Sequence, residues 1–167
     1  SARNEYMITR LDRLLNRTVW ALTEQLARGD FVPSAYELSF GSGKIDRIDV
    51  CETRDEVYVK VIDYKTGQKG FDVSALYYGL QLQLMVYMNA ATDRMKKRYP
   101  GKQVIPSGVF YYRMKDPLLE KNGKADLEKR LLKELRPDGV VNLEQNSLEH
   151  LERERTGDSL AVPVKFN

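Results

Sequence analysis

The feature that most constrains the fold is a ten-residue run, Glu56 to Lys65. In it Val57, Val59, Val61, Asp63 and Lys65 occupy alternate positions. A period of two places all five on one face of a β-strand. The valines need burial, so the strand must end by setting a carboxylate and an amine beside the core. A second stretch of strand character, Lys44 to Glu52, precedes it across Thr53-Arg54-Asp55, which reads as a hairpin connection. Antiparallel pairing lays the start of one strand beside the end of the other. Asp46, expected on the face of Ile48 and Val50, then comes close to Asp63 and Lys65.

The remaining pattern supplies what such a hairpin needs to be covered. Met7, Leu11, Leu14, Leu15, Val19, Leu22 and Leu26 recur at helical spacing, with Gly29 and Pro33 as stop signals. A short strand is expected over Tyr36 to Phe40, followed by a turn at Gly41 to Gly43. A predominantly apolar helix is expected from about Asp72 to Arg94, capped by Asp72 or Ser74 and ended before Pro100-Gly101. Val104 to Arg113 reads as a strand. Leu127, Leu131, Leu132 and Leu135 mark a helix stopped by Pro137-Asp138-Gly139. A short charged helix over Ser147 to Arg155 and a last strand over Leu160 to Phe166 close the chain, with a disordered loop expected near Leu119 to Lys124. Helix, three strands, helix, strand is the order of an α/β domain with a mixed sheet flanked by helices, not of a regular βαβ alternation. At 167 residues this is one domain, 1–167. Its start inside helix-like sequence reads as a piece cut from a longer polypeptide.

Composition removes several chemistries. Cys51 and His150 are each alone, so a disulfide framework, a cysteine-rich zinc cage and a Ser/His/Asp triad are unsupported. His150, in a charged stretch, reads as a solvated surface residue. No apolar run approaches membrane-spanning length and no signal peptide opens the chain, which predicts a cytoplasmic protein without a membrane partner. Gly41-Ser42-Gly43-Lys44 lacks the spacing of a phosphate loop and reads as a turn. Trp20 and the tyrosines read as core and sheet residues. Lys96-Lys97-Arg98 reads as a helix C-terminus favoured by the dipole. The net charge of +3 permits a polyanionic partner.

Two carboxylates and a lysine at a sheet end have a physical use. The carboxylates repel unless a proton or a cation intervenes, and a hard divalent ion satisfies both. Such an ion offsets charge developing on a phosphodiester and acidifies an attacking water, which Lys65 would steer. The plainer reading of Asp63 and Lys65 is an ion pair at a strand end. Arg47 and Asp49 fall on the face opposite Asp46 and are expected to pair with each other or with the first helix.

Gly43-Lys44-Ile45-Asp46-Arg47-Ile48-Asp49, then Asp63-Tyr64-Lys65-Thr66-Gly67, then Gln83 with Tyr87, resemble the three consecutive motifs of RecB-family nucleases of the PD-(D/E)XK type. Gln83 and Tyr87 stand one helical turn apart, on the face that carries Leu76 and Leu80. The likeness extends over nearly the whole chain and is greatest to nuclease regions at the C-terminus of bacterial helicase–nuclease subunits. It implies a restriction-endonuclease-like αβββαβ core. It also implies that Asp46, Asp63 and the backbone carbonyl of Tyr64 are metal ligands, that Lys65 is catalytic, and that Gln83 and Tyr87 support the site or the DNA strand. The implied ion is magnesium, with manganese as the substitute. The implied activity is exonucleolytic hydrolysis of DNA during end processing and recombinational repair, with DNA, a helicase–nuclease partner subunit and the rest of its own polypeptide as partners. Three features depart from the family pattern. An upstream metal-binding histidine is missing, which implies a weakly active isolated domain. The cysteines that hold an iron–sulfur cluster in full-length relatives are missing too, so that cluster is not expected in this chain. The connection from Phe40 to Gly43 is short. A non-catalytic DNA-binding or subunit-docking module that keeps the nuclease fold is the alternative reading.

Overall fold

The computed structural model of the chain describes residues 1–41, 43–65, 73–117 and 123–167, of which 73–78, 80–81, 124 and 125 are described as backbone only. The expected hairpin lies at its centre. Strands β2 (Gly43–Glu52) and β3 (Glu56–Lys65) pair antiparallel, with Val50 opposite Val59 and Arg47 opposite Ile62. Thr53 closes the turn: its N–H donates to the Glu56 carbonyl, and its hydroxyl accepts the Glu56 N–H.

Strand β1 (Val32–Phe40) lies on the outer side of β2 and is longer than Tyr36 to Phe40. Pro33 sits within this strand rather than stopping a helix. On an edge strand its missing N–H need cost no ladder bond, and the register shifts beside it, between Pro33 and Ala35. Beyond β3, strand β4 (Gln103–Arg113) runs parallel, with Asp63 opposite Tyr111 and Lys65 opposite Arg113. A strand not expected from the sequence, β5 (Asp138–Val141), pairs antiparallel with β4 and completes a five-stranded mixed sheet in the order β1-β2-β3-β4-β5. Gly139 makes that pairing possible: its φ is +151°, and a Cβ there would lie 2.0 Å from the Val109 carbonyl oxygen.

Helix α2 (Val73–Arg98) packs on one face of the sheet. Val57, Val59 and Val61 meet Ile48, Val50, Leu84, Ala91 and Met95 there. Each such buried side chain contributes about 1.5–3 kcal/mol. The other face, built from Tyr58, Ile62, Phe110 and Tyr112, is covered by the second half of α1 (Ala2–Ala27) through Leu22 and Leu26, and by Leu151 of α4 (Gln145–Leu151). Helix α3 (Lys124–Glu134) joins α1 through a small cluster of Ala21, Leu132, Leu135 and Leu160, with Trp20 packed against it. Thus the expected α/β architecture, with helices on both faces, is the one observed.

The C-terminal segment differs from the sequence reading. Helix α4 stops at Leu151 rather than running to Arg155, because the buried Glu152 leaves the helix to bind Arg28 at 3.0 Å and the Ser159 hydroxyl at 2.8 Å. Leu160 to Phe166 is not one strand. The Ser159 hydroxyl accepts the N–H groups of Ala161 and Val162, which curls the chain. Only β6 (Gly157–Asp158) and β7 (Lys165–Phe166) pair, as a separate two-stranded ladder. The loop near Leu119 and the cap position Asp72 lie outside the described residues, as does the side chain of Ser74. Among the described residues no helix is long and apolar enough to cross a membrane.

Candidate active site

Asp63 stands near the end of β3 and is 5% exposed. The Lys65 ammonium lies 2.6 Å from its Oδ2, while the lysine side chain remains 41% exposed. The amine is therefore tied to a buried carboxylate yet open to solvent. Asp46 reaches the same place from β2. The β2–β3 ladder ends at the Arg47–Ile62 pair, and the Asp46 carboxylate accepts the Tyr64 N–H at 2.8 Å in place of a ladder bond. From there it is near enough to the Asp63 carboxyl to raise that group's hold on a proton.

A backbone irregularity accompanies this placement. Ala35 and Leu38 of β1 pack toward the same core cluster, as do Ile45 and Ile48 of β2, although strict alternation would send the members of each pair to opposite faces. The strands turn over between them. Glu37 has a φ of +50°, uncommon for a residue with a side chain, and sits where β1 passes Asp46.

Burial pushes the Asp63 carboxyl above the ordinary carboxylate range. The Lys65 hydrogen bond pulls it down, and the neighbouring Asp46 raises it again. Asp63 Oδ2 is buried and, apart from its ion pair with Lys65, accepts no aligned hydrogen bond. Two adjacent carboxylates sharing one lysine carry one negative charge more than the cluster balances, which fits a hard divalent cation. Among the described residues no three His, Cys, Asp or Glu side chains converge on one point, so the carboxylate contribution is this pair. The Tyr64 hydroxyl accepts from Arg47 at 2.7 Å on the back of the sheet, so only its backbone can serve the front.

Gln83 and Tyr87 are joined to this cluster. Gln83 Nε2 donates to the Tyr87 hydroxyl at 2.8 Å, and the Tyr111 hydroxyl donates to Gln83 Oε1 at 3.4 Å. Tyr111 stands beside Asp63 in the parallel β3–β4 ladder, and its ring centroid lies 5.4 Å from the Lys65 ammonium. Burial and the Asp63 charge push its phenol up to about 12, so it is a neutral donor. Tyr111 is the site residue that sequence reasoning misses. Alternation from Val109 and a parallel β4 would have found it.

On the reverse of the hairpin, Arg47 grips Asp49 with Nε at 2.8 Å and Nη2 at 2.9 Å, and Lys60 approaches the same carboxylate at 3.4 Å. Arg47 and Asp49 do pair with each other, as expected. His150 corrects the sequence reading. It is not a freely solvated side chain but stacks near Tyr58, with ring centroids 4.7 Å apart, and its Nδ1 lies 3.0 Å from Asp30 Oδ2. Tyr58 is five residues before Asp63 and on the opposite face, so His150 cannot complete the carboxylate pair.

This mixed sheet flanked by helices is the architecture of a nuclease family. The chain belongs to the PD-(D/E)XK nuclease superfamily, whose pattern it matches over residues 1–163. It is also similar to curated proteins, each named as one subunit of an ATP-dependent helicase/deoxyribonuclease. That of Lachnoclostridium phytofermentans is 43% identical over 95% of this chain and 14% of its own length. Those of Alkaliphilus oremlandii and Thermoanaerobacter sp. are 34% and 33% identical, over 98% and 100% of this chain and 16% of their lengths. The chain thus spans about one seventh to one sixth of these relatives.

Proposed function

We propose that this chain is the nuclease domain of a helicase–nuclease and hydrolyses phosphodiester bonds of DNA at the cluster of Asp46, Asp63 and Lys65. The observation that carries this reading is the meeting of two carboxyl groups from neighbouring strands beside a solvent-facing lysine. A structural ion pair needs one acid, and the second acid raises its cost.

Asp46, Asp63 and the Tyr64 carbonyl would hold a magnesium or manganese ion. When bound, that ion supplies positive charge against both carboxylates and against charge developing on the phosphate. The chain's own residues do the rest. Lys65, held by Asp63 and by the Tyr111 ring, presents its ammonium to a phosphate oxygen and to the attacking water. Tyr111, Gln83 and Tyr87 form a hydrogen-bonded brace linking α2 to β4, beside the end of β3. The brace fixes Lys65 at the strand end, where small displacements cost rate steeply. Work on DNA alongside a helicase partner is suggested by the names of the relatives, and action at DNA ends in repair is a further part of this proposal.

The test is cleavage of single-stranded DNA with magnesium, with manganese and with chelator, by this chain and by Lys65→Ala. Metal-dependent cleavage that is slow in the parent and lost in the variant is expected. Cleavage that survives Lys65→Ala, or proceeds in chelator, overturns the assignment.

A further inference from the structure

The first half of α1 carries surface that the fold does not use. Every residue from Ser1 to Arg13 is exposed, so about 18 Å of helix stands clear of the sheet at 1.5 Å per residue. Further along, Thr18, Ala21 and Gln25 are buried. The stripe that packs through Leu22 and Leu26 continues into the protruding half as Met7, Leu11 and Leu14. Met7 and Leu11 are 60% and 55% exposed.

Charge is sorted across this helix. Arg3, Tyr6, Arg10, Arg13 and Arg17 follow one another at spacings of three and four, which aligns them on one flank. The acids of the same half, Glu5 and Asp12, fall on the other flank. The arginine flank is tied to the end of β4. Arg13 lies 3.3 Å from Asp116, and Arg17 holds the same carboxylate. The Met114 N–H donates to the Lys65 carbonyl at 3.3 Å, so the segment gripped by the arginines is hydrogen-bonded to the catalytic strand. A groove of about 750 Å³ runs between α1 and this segment, with Tyr6, Arg10, Leu11, Met114 and Lys115 on its walls. The one acid among its described lining residues, Asp116, is already neutralised by two arginines.

We propose that the protruding half of α1 guides single-stranded DNA over the ends of β3 and β4 and past Lys65. Arg3, Arg10 and Lys115 hold phosphates, while Tyr6 and the apolar stripe take the faces of unpaired bases. A basic flank interleaved with an aromatic ring beside an apolar strip is the combination that grips unpaired polynucleotide without reading its sequence. The segregated arginines favour a polyanion over a protein partner, which the apolar stripe alone would suit. The inference rests on the nuclease reading, because it is the cluster that gives the strand somewhere to go.

The experiment separates the two. Binding of a labelled oligothymidylate is measured in chelator, where no cleavage is expected, and hydrolysis of bis(p-nitrophenyl) phosphate is measured with magnesium. The diester has a single phosphate and no polynucleotide backbone to follow along α1. For Arg3→Ala/Arg10→Ala, the slope of log affinity against log salt should fall by about 1.4, two phosphates at roughly 0.7 each for a single strand. For Tyr6→Ala, affinity should fall about tenfold with the slope unchanged. Both variants should hydrolyse the diester like the parent. Unchanged oligonucleotide affinity and slope in both variants overturn the guide, whatever the diester shows. Weakened binding in a chain that hydrolyses no diester upholds the guide and removes the nuclease reading. If DNA binding survives both variants while the parent chain self-associates and Leu11→Ser makes it monomeric, the face docks protein and the proposal fails.

Discussion

The two faces of the β2–β3 hairpin carry charge clusters of opposite character a few residues apart. On the back, Arg47 is paired bidentately with an Asp49 that is fully buried, and Lys60 and the Tyr64 hydroxyl complete a closed set. On the front, Asp46 and Asp63 face each other with one half-open lysine between them and solvent. The back cluster gathers two cations around one buried carboxylate. The front cluster has an acid to spare, with a carboxyl held above its ordinary range. The difference teaches what separates a structural ion set from a site: whether the charges close on one another or are left wanting a partner from outside.

The largest effect should come from breaking the closed set. Asp49→Asn keeps shape but leaves Arg47 and Lys60 without their counter-charge in a buried place. A loss of about 3–5 kcal/mol in denaturant unfolding is expected, as for other uncompensated buried charges. Asp63→Asn, one charge removed from the open set, should cost far less. Equal losses for the two variants would mean that the faces are energetically alike.

A second test sharpens the front cluster. Asp46→Asn retains an oxygen to accept the Tyr64 N–H and removes one of two adjacent carboxylates. In chelator it should be as stable as the parent or more so. Magnesium should raise the parent's Tm but not the variant's. At a hundredfold excess over Kd such linkage is worth about 2.7 kcal/mol. A marked loss of stability in chelator would show instead that Asp46 is a structural acceptor whose charge the strand end requires.

Much of this was legible in the sequence, for identifiable reasons. Period-two valines ending in Asp63 and Lys65, with a three-residue connection behind them, specify both the hairpin and which residues meet at its end. Long-range placement was less legible. Asp46 reaches Asp63 through a turn-over of β1 and β2 beside Glu37, where no glycine signals a positive φ. Tyr111 belongs to the site only because β4 returns parallel beside β3. The stripe of α1 reads as uniformly core-facing, yet Met7 and Leu11 lie in the wholly exposed first half, and Leu15 and Val19 stay exposed on either side of the buried Thr18. Periodicity shows which face of an element is apolar; it does not show how far the surface beneath it extends. Ser159, whose hydroxyl turns the last segment, is likewise invisible to a pattern of alternating residues.

The smallest expected effect probes the one imperfection of the closed set, its second cation. Lys60 has 13% side-chain exposure, and burial pushes its ammonium below the ordinary lysine range, against the pull of Asp49, with Arg47 pushing the same way as burial. The folded state thus resists the charge that the unfolded chain carries freely. Lys60→Met should therefore leave stability unchanged or raise it by about 1 kcal/mol near neutral pH, as apolar replacements of buried charges often do. Two losses limit the gain: the 3.4 Å contact with Asp49 and the position of the ammonium 5.0 Å from the Phe31 ring. The sign of the pH dependence follows from linkage. Between the lowered folded value and the unfolded value of about 10.4, the unfolded chain binds more protons, so the parent gains stability as pH rises through that window. The variant has no such group and should lack that rise, so its advantage should shrink from pH 7 toward pH 10. A variant that is less stable than the parent at pH 7, with the gap constant in pH, would show that Lys60 is a needed partner of Asp49, and that the back cluster closes only with both cations in place.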